Sequence, residues 1–384
     1  MKSTALAKVS RLAKILLFFL LLSALSINTS CSSDPAEDQE LTDDPDSTDD
    51  PDNPDDPDDP DNGDDPDDPD TTGTVVFEEN FILEEERRLV TYVLSDTEYD
   101  KFLDGDGDLQ MVTGKVYEYL GDNFDFIFIL SVEESQPVGL YYGRSTKVKN
   151  DVQGIGSSIY DGTSAYGSAG NLKSVIHMPR TEYVVNGPFL HEIVHYWANR
   201  DFIPTTVGGH WGYSSAGGQL GGFDELIDLG NDTYQGRLNG SNSFGPNANG
   251  GNTLPYSNVE LYTMGLIGPG ELESIQVAEN PQSNGQQGQF TADAITIYTA
   301  TDLLVQHGDR IPTVQNSQKD FRSLAVVISR AELSEEKITS VNRDLENFAR
   351  QAAPDSYWGN AYNFWEATGE RASLEIGVVS SDIK

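Results

Sequence analysis

Two histidines and one glutamate are spaced for metal chemistry. His191, Glu192 and His195 lie in the segment NGPFLHEIVHYWANR, whose pattern predicts a helix over residues 188–200. Side chains four residues apart lie one turn apart on the same helical face, so both imidazoles can reach one cation. Glu192 points about 100° away around the helix, where its carboxylate can hold and deprotonate a water molecule beside the ion.

The opposite face of this helix is apolar. Leu190, Val194 and Trp197 recur at intervals of four and three residues, so this face can pack into a core. A zinc ion held by the histidines would lower the pKa of a water molecule from about 15.7 towards about 7 and would polarise a carbonyl group. Glu192 would take the proton of that water and pass it to a leaving amine, so the expected reaction is hydrolysis of a peptide bond.

A catalytic zinc ion has three protein ligands and one open position, so a third ligand is required. His210 is the first candidate, because the glycines of the segment GGHWG let the backbone bring its side chain back over the helix. Glu225, in the later segment FDEL, is the alternative third ligand. His177 falls on a predicted strand and is interpreted as structural, and His307 is interpreted as an exposed loop residue.

These motifs resemble those of the zincin metallopeptidases and, more loosely, of their metzincin branch. The shared features are HEIVH at residues 191–195, Gly-His at 209–210 and Tyr-Thr-Met-Gly at 262–265, and the similarity covers residues 173–266. The chain departs from metzincins at Ala198, where they have a glycine, and its third histidine comes later than theirs.

The resemblance implies an α+β fold with a mixed sheet, an active-site helix and a loop-rich C-terminal lobe that closes the cleft. It also implies a zinc ion bound by His191, His195 and His210, with Glu192 as the general base. Met264 would lie beneath the metal site, as the methionine of a metzincin does. Plain core packing is the alternative interpretation of Met264.

Apolar runs predict the elements around the motif. Residues 124–130 (FDFIFIL) and 173–178 (KSVIHM) are short, nearly continuous apolar runs typical of buried strands. Residues 205–257 are rich in Gly, Asn and Ser and predict loops. Ser334 is predicted to cap a helix that Pro354 limits at its other end.

The N-terminus has the composition of an export signal. Residues 1–30 combine a basic start with a short apolar run. Cys31 is the only cysteine, and its position resembles that of the lipidated cysteine of bacterial lipoproteins. An ordinary signal peptide that ends near a cysteine is the alternative. Residues 31–73 are dominated by Asp and Pro and predict a disordered stalk, which leaves residues 74–384 as the metallopeptidase-like catalytic domain.

The charge of the chain excludes one class of partner. The chain has 24 basic and 63 acidic residues and a net charge of −39, and no Lys/Arg cluster is visible that could bind nucleic acid. We expect a monomer at the outer membrane or cell surface that contacts the membrane only through its lipid anchor. The expected substrate is a protein or glycoprotein.

An acidic segment carries a second metal hypothesis. Asp104, Asp106 and Asp108 resemble the start of a calcium loop. Leu109 and Lys115 stand where an EF-hand has Gly and Glu, so a solvated turn competes with a structural Ca²⁺ site.

Aromatic residues near the C-terminus carry an alternative function. They could stack on sugar rings or pack in a core, and they are Tyr357, Trp358, Tyr362, Phe364 and Trp365. A non-catalytic surface lipoprotein that binds glycan or protein ligands is therefore the alternative to a peptidase. A metallohydrolase of non-peptide amides is a third hypothesis. The sequence also leaves open whether residues 74–172 are an integral or a removable part of the domain.

Overall fold

The computed structural model describes residues 73–199 and 201–384. Its strands are β1 (Val75–Glu78), β2 (Phe81–Leu83), β3 (Leu89–Val93), β4 (Phe126–Ser131), β5 (Arg144–Lys147), β6 (Lys149–Asn150), β7 (Tyr160–Asp161), β8 (Ser174–Met178), β9 (Glu225–Gly230), β10 (Thr233–Arg237), β11 (Ile275–Glu279), β12 (Gln282–Ser283), β13 (Gln289–Thr291), β14 (Ala294–Tyr298), β15 (Asp320–Ser329) and β16 (Ser373–Ile376). Its α-helices are α1 (Asp96–Leu103), α2 (Leu109–Tyr119), α3 (Tyr183–Asn186), α4 (Phe189–Val194), α5 (Asn258–Met264), α6 (Ala300–His307), α7 (Glu335–Ala349) and α8 (Phe364–Ala367). The predicted export signal, Cys31 and the predicted stalk up to residue 72 lie outside the described residues.

The largest sheet has eight strands and is mixed. Seven of them run in the order β1-β2-β3-β15-β4-β8-β5, and β16 pairs with β15. The pairs that join β3, β15, β4, β8 and β16 are parallel, whereas β1, β2 and β5 pair in antiparallel fashion. Helices and strands therefore combine around a mixed sheet, as the sequence predicts.

The central strands are apolar because both faces of the sheet are covered. In β4, Phe126, Phe128 and Leu130 pack into one core, and Ile127 and Ile129 pack into the other. Successive side chains of a strand point to opposite faces, so a strand with both faces covered is apolar throughout. Burial stabilises each of these side chains by roughly 1.5–3 kcal/mol relative to exposure.

Each face of the sheet has its own helical layer. Tyr99 and Phe102 of α1 pack with Val112 of α2 in the core on one face. Leu190 of α4 and Leu345 of α7 lie in the core on the other face. The helix that carries the histidine motif is therefore held against the sheet by one of the two cores.

The predicted elements around the motif are confirmed. Residues 124–130 contain β4, and residues 173–178 contain β8. The side chain of Ser334 caps α7, where its Oγ accepts a hydrogen bond from Lys337 N at 3.3 Å. Helix α7 ends before Pro354, as predicted.

The C-terminal segment does not form a separate lobe. β15 lies between β3 and β4 in the main sheet, where Ala325 is paired with both Leu89 and Phe128. The prediction of a C-terminal lobe is therefore wrong for this segment. Strand β15 is long and apolar, and both of its faces are buried because it lies at the centre of the sheet. The loop-rich character is retained for residues 205–257, in which β9 and β10 form an antiparallel pair.

The same strand order answers the question about residues 74–172. β3 and β4 both belong to this segment, and both hydrogen-bond to β15. Removing the segment would take away the β3 and β4 partners of β15, so residues 74–172 share one sheet with the rest of the domain. Within residues 73–199 and 201–384, no helix has the length and apolar character needed to cross a membrane.

A buried carboxylate ties the C-terminus to the sheet. Asp382 is 1% exposed and accepts hydrogen bonds from Nη1 and Nη2 of Arg322 at 3.1 and 2.8 Å. It also accepts from Asn123 Nδ2 at 2.7 Å and from Val379 N at 2.8 Å. Burial acts to raise the pKa of Asp382, but the hydrogen bonds from Arg322, Val379 and Asn123 outweigh it and hold the pKa below its usual value.

We expect Asp382→Asn to lower the free energy of unfolding by about 1–3 kcal/mol at neutral pH, because it leaves Arg322 without its charged partner. The folded-state pKa of Asp382 lies below the value of about 3.9 for the unfolded chain, so this contribution is complete above that value and is lost as the pH falls through the folded-state pKa. Urea unfolding of the wild type and of Asp382→Asn should give a difference in the free energy of unfolding that is constant near neutral pH and becomes smaller in acid. A difference that stays unchanged in strong acid would contradict this assignment.

Candidate metal centre

The helix that carries the motif is capped by a distant residue. No side chain of its own caps α4, which begins at Phe189. Instead, Asn252 Oδ1 accepts a hydrogen bond from Leu190 N at 2.9 Å, and Asn252 Nδ2 donates to a backbone carbonyl of α3 at 2.8 Å. The predicted apolar face is confirmed, because Leu190, Val194 and Trp197 are all buried.

Helix α4 is shorter than the helix predicted over residues 188–200. It ends at Val194, and the backbone N–H groups of Tyr196 and Trp197 bond to carbonyls three residues back, which tightens the last turn. His195 keeps right-handed helical backbone at φ −55°. The predicted length is therefore wrong, but the one-turn offset between the two histidines of the motif is retained.

The three predicted histidines converge. Nε2 of His191 and Nε2 of His195 are 3.1 Å apart. The ring centroid of His210 lies 5.4 Å from that of His191 and 5.0 Å from that of His195. One nitrogen from each ring lies within 4.8 Å of the others, so in the described part of the chain these histidines form the group that could hold a metal ion.

Each imidazole is oriented by a backbone carbonyl group. His191 Nδ1 donates to Gln219 O at 2.8 Å. His195 Nδ1 donates to Ala198 O at 3.3 Å. His210 Nδ1 donates to Gly208 O at 2.8 Å. A carbonyl oxygen only accepts, so each Nδ1 carries the proton and each Nε2 keeps its lone pair. Three neighbouring imidazoles, each fixed through its Nδ1 and with Nε2 left to bind, fit a bound metal ion.

Burial favours the neutral form of these rings. It lowers the pKa of His191 to about 4, lowers the pKa of His195 well below its usual value, and also lowers the pKa of His210. The neutral imidazole is the form that binds a metal ion, so the rings need not release protons when a cation enters.

Glu192 lies buried beside the histidines, with 5% of its surface exposed. Burial raises the pKa of Glu192 to about 8, and a hydrogen bond from the Ser145 N–H opposes part of that rise. Gly143 leaves room for the carboxylate, because a Cβ at this position would lie 2.6 Å from Glu192 Cγ and 2.7 Å from its Oε1. A cation bound to the histidines would lower the pKa of Glu192 again.

The histidines and Glu192 share one cavity of about 530 Å³. One wall is formed by Arg144, Ser145 and Lys147 of β5, which is the last strand of the main sheet. His195 and His210 are only partly buried, and both line the cavity. The site therefore combines an accessible ligand set with an extended backbone segment along its side.

Two glycines and an asparagine shape the loop that returns His210 to the helix. Gly209 and Gly212 have φ values of 77° and 61°, in the left-handed region that favours glycine. Asn199 Nδ2 donates to His210 O at 3.2 Å, and its Oδ1 accepts from Phe202 N at 2.9 Å. The part predicted for the flanking glycines is therefore confirmed.

Glu225 is not the third ligand. It begins β9 and is exposed, and its carboxylate accepts a hydrogen bond from Arg237 Nη1 of β10 at 2.9 Å. The alternative is wrong because the ladder between β9 and β10 directs this side chain to the neighbouring strand. Among the described residues, the metal-compatible group consists of histidines alone.

Met264 lies in the core at the end of α5. It is 1% exposed and lines a cavity of about 160 Å³ together with Tyr196 and Trp197, which follow His195 in the chain. Its backbone carbonyl accepts a hydrogen bond from Arg310 Nη2 at 3.0 Å. These contacts agree with core packing, and a role beneath the metal stays a prediction.

The other two histidines lie outside the cluster. His177 is buried, with Nε2 bonded to Ser131 Oγ at 2.9 Å and Nδ1 to Tyr141 Oη at 2.8 Å, so its structural role is confirmed. His307 is not an exposed loop residue. It ends α6, where its Nε2 donates to Phe202 O at 2.9 Å and its ring stacks on that of Phe202.

The acidic segment near residue 104 forms a turn between two helices. Asp104 is the C-cap of α1, and Asp108 Oδ1 caps α2 by accepting a hydrogen bond from Met111 N at 2.9 Å. Among the described residues, these carboxylates do not form a group that could hold a metal ion. The geometry is therefore that of the solvated turn, and nothing in it supports a structural Ca²⁺ site.

Two of the five aromatic residues near the C-terminus lie in the core. Trp358 and Phe364 are 3% and 0% exposed. Tyr357 is 45% exposed, and its hydroxyl donates to Asp344 Oδ1 at 2.6 Å while the guanidinium of Arg343 lies 4.4 Å from its ring centroid. Tyr362 and Trp365 are half-buried, so the five side chains divide between core and surface.

Several supporting residues were missed from the sequence. Gln219, Ala198 and Gly208 act through backbone carbonyl groups, which have no side-chain signature. Gly143 acts through the absence of a side chain. Glu260, a buried carboxylate that contacts the loop after His210, has only the Ser-x-x-Glu capping pattern as a signal, and that pattern predicts a helix start and nothing about a metal.

Comparison with known proteins adds no relative. No protein-family model, no curated protein and no solved structure matches this chain. The resemblance to zincins therefore stays a prediction, and the functional argument depends on the residues of the cavity.

We expect the wild-type chain to bind one zinc ion. His210→Ala should weaken that binding by more than about 100-fold, because it removes one of three ligands, whereas loss of a residue that only orients a ligand weakens binding roughly 10–100-fold. Zinc affinity is measured by competition with a chelator. Glu225→Ala is the matched control, since it removes the alternative ligand from an exposed strand. Equal zinc affinity of His210→Ala and the wild type would contradict the three-histidine site.

Proposed function

We propose that the chain is a zinc-dependent peptidase in which His191, His195 and His210 hold the ion and Glu192 is the general base. The observation that carries this proposal is the cluster of three histidines, with one nitrogen of each within 4.8 Å of the others, in the same cavity as a buried carboxylate. A zincin-like fold belongs to the same proposal, and it is supported by the helix that follows β8 and by the antiparallel edge strand β5 beside it.

Glu192 would move the proton in this reaction. Zinc, when bound, supplies a Lewis acid that polarises a carbonyl group and lowers the pKa of water to about 7. The Glu192 carboxylate takes a proton from the attacking water and passes it to the amide nitrogen as the C–N bond breaks. Burial makes this carboxylate more basic than an exposed one, which favours uptake of the proton.

The cavity favours an extended polypeptide as substrate. β5 ends the main sheet, and its residues Arg144, Ser145 and Lys147 line the cavity. A strand edge offers backbone N–H and C=O groups to a second extended chain. A peptide aligned with β5 would carry its scissile amide past His191 and Glu192. The proposed substrate is therefore a flexible segment of a protein or glycoprotein.

We expect Glu192→Gln to keep zinc at the wild-type level and to lower the rate of peptide cleavage by about 10²–10⁴-fold, because the amide cannot take up the proton of water. Cleavage of an unfolded protein and zinc content are measured on the same preparations. Glu225→Gln, an exposed change of the same kind, should cleave normally. Wild-type cleavage by Glu192→Gln would remove Glu192 from the mechanism.

The Glu192 carboxylate can also be displaced by a change at Gly143, on the other side of the cavity. Gly143 does not have a left-handed backbone, but a Cβ there would overlap the Glu192 carboxylate. Gly143→Ala should therefore also keep zinc and lose turnover. Gly114→Ala is the control, since a Cβ at Gly114 meets nothing within 4 Å. Full activity of Gly143→Ala would mean that Glu192 is not held where the reaction needs it.

The other two functions are less well supported. A glycan-binding surface has less support, because Trp358 and Phe364 are buried and the hydroxyl of Tyr357 is bonded to Asp344. A hydrolase of non-peptide amides would use the same ligands and the same Glu192. A panel that includes peptides and small acyl amides separates these hypotheses: turnover of the small amides alone would replace the peptidase proposal.

The location of the protein is proposed from the N-terminal sequence alone. Residues 1–30 and Cys31 support export and lipid attachment, and residues 31–73 support a disordered stalk. We expect the full chain, produced in a bacterium that processes lipoproteins, to partition into detergent and Cys31→Ser to partition into the aqueous phase. Equal partitioning of the two chains would contradict the anchor.

A further inference from the structure

A fully buried carboxylate lies behind the metal-facing histidines. Glu260, in the first turn of α5, is 0% exposed. It accepts four hydrogen bonds from N–H groups, and the donors are Trp211 Nε1 at 2.9 Å, Leu220 N at 2.9 Å, Gln219 N at 3.1 Å and Ser257 N at 2.9 Å. Each carboxylate oxygen accepts two of them, so both oxygens are fully used.

Three of these four bonds reach one loop. Trp211 and Leu220 bind the same oxygen of Glu260, and Trp211 N donates to Leu220 O at 2.8 Å, which closes the segment between them into a ring. Gly218 allows the close approach, because a Cβ there would lie 2.4 Å from Glu260 Oε2. The loop is therefore wrapped tightly around the carboxylate.

The loop carries support for two of the three histidines. Trp211 directly follows His210 in the chain. Gln219, whose N–H is held by Glu260, provides the carbonyl that accepts the Nδ1 proton of His191 at 2.8 Å. Glu260 is therefore connected to His210 and to His191 through one intermediate residue each.

We propose that Glu260 is a positioning residue of the metal centre, which holds Trp211 and Gln219 and, through them, fixes His210 and His191 in the geometry that binds zinc. This inference rests on the metal centre of the proposed function. It adds that zinc affinity depends on a residue that contacts neither the ion nor the substrate.

Only an ionised carboxylate matches this arrangement. All four partners are donors, so a glutamine would turn its NH₂ group towards N–H groups and leave two of them without an acceptor. A buried donor without a partner destabilises its position, so the loop would shift away from residue 260. The shift would move Trp211 and Gln219 together, because both depend on the same group.

We expect Glu260→Gln to weaken zinc binding about 10–100-fold, the range found for loss of second-shell partners. The measurement is chelator competition on the full chain, together with the visible absorption of the cobalt-substituted protein, which reports ligand geometry. Glu84→Gln is the matched control, because Glu84 is also buried but accepts its hydrogen bond from Thr91, away from the histidines. The control should bind zinc as the wild type does.

The outcomes separate this inference from the metal centre itself. A folded Glu260→Gln chain with wild-type zinc affinity would overturn the role of Glu260. If that chain does not fold, Trp211→Phe decides, since it removes the indole N–H from Glu260 while keeping an apolar aromatic ring in the core. Weaker zinc binding by Trp211→Phe supports the role, and unchanged binding overturns it. Failure of the wild type to bind zinc would instead overturn the metal centre, and this inference with it.

Discussion

The close approach of three neutral imidazoles is the constraint on which this site depends. With both Nδ1 atoms protonated, the 3.1 Å contact between Nε2 of His191 and Nε2 of His195 cannot be a hydrogen bond, because each nitrogen presents a lone pair. Such a contact is unfavourable until a cation lies between the nitrogens. The carbonyl groups that bind the Nδ1 protons hold the rings against this repulsion, so the fold must position three carbonyls as carefully as three side chains.

The domain meets this requirement with parts that are far apart in sequence. α4 is fixed at its start by Asn252, the carboxylate of Glu192 is held against Gly143, and the acceptor for His191 comes from Gln219. The central strand of the main sheet, β15, comes from the C-terminal segment of the chain and joins β3 to β4. The histidine cluster is therefore complete only when the whole domain has folded, so the proposed metal binding depends on residues remote from the cluster.

What could be predicted from the sequence follows from how local each signal is. The offset between His191 and His195 is fixed by one helical turn, and β4 and β8 are fixed by short apolar runs, so these features were predicted correctly. The end of α4 and the place of β15 depend on contacts across the domain, and the sequence pattern does not contain them. Glu225 and His210 were competing ligands for the same reason, since each lies on a loop or strand whose direction is set by distant partners.

The two buried glutamates of this region show how the number of donors separates a reactive carboxylate from a structural one. Both are buried, at 5% exposure for Glu192 and 0% for Glu260, and burial raises the pKa of each. Glu260 has every lone pair directed at an N–H group, so an incoming proton would have to displace one of its bonds. Glu192 lines an accessible cavity and has the Ser145 N–H as its backbone donor. Glu192 is buried but does not have every lone pair bonded to an N–H group. Its carboxylate therefore stays basic and can accept a proton, as a general base must.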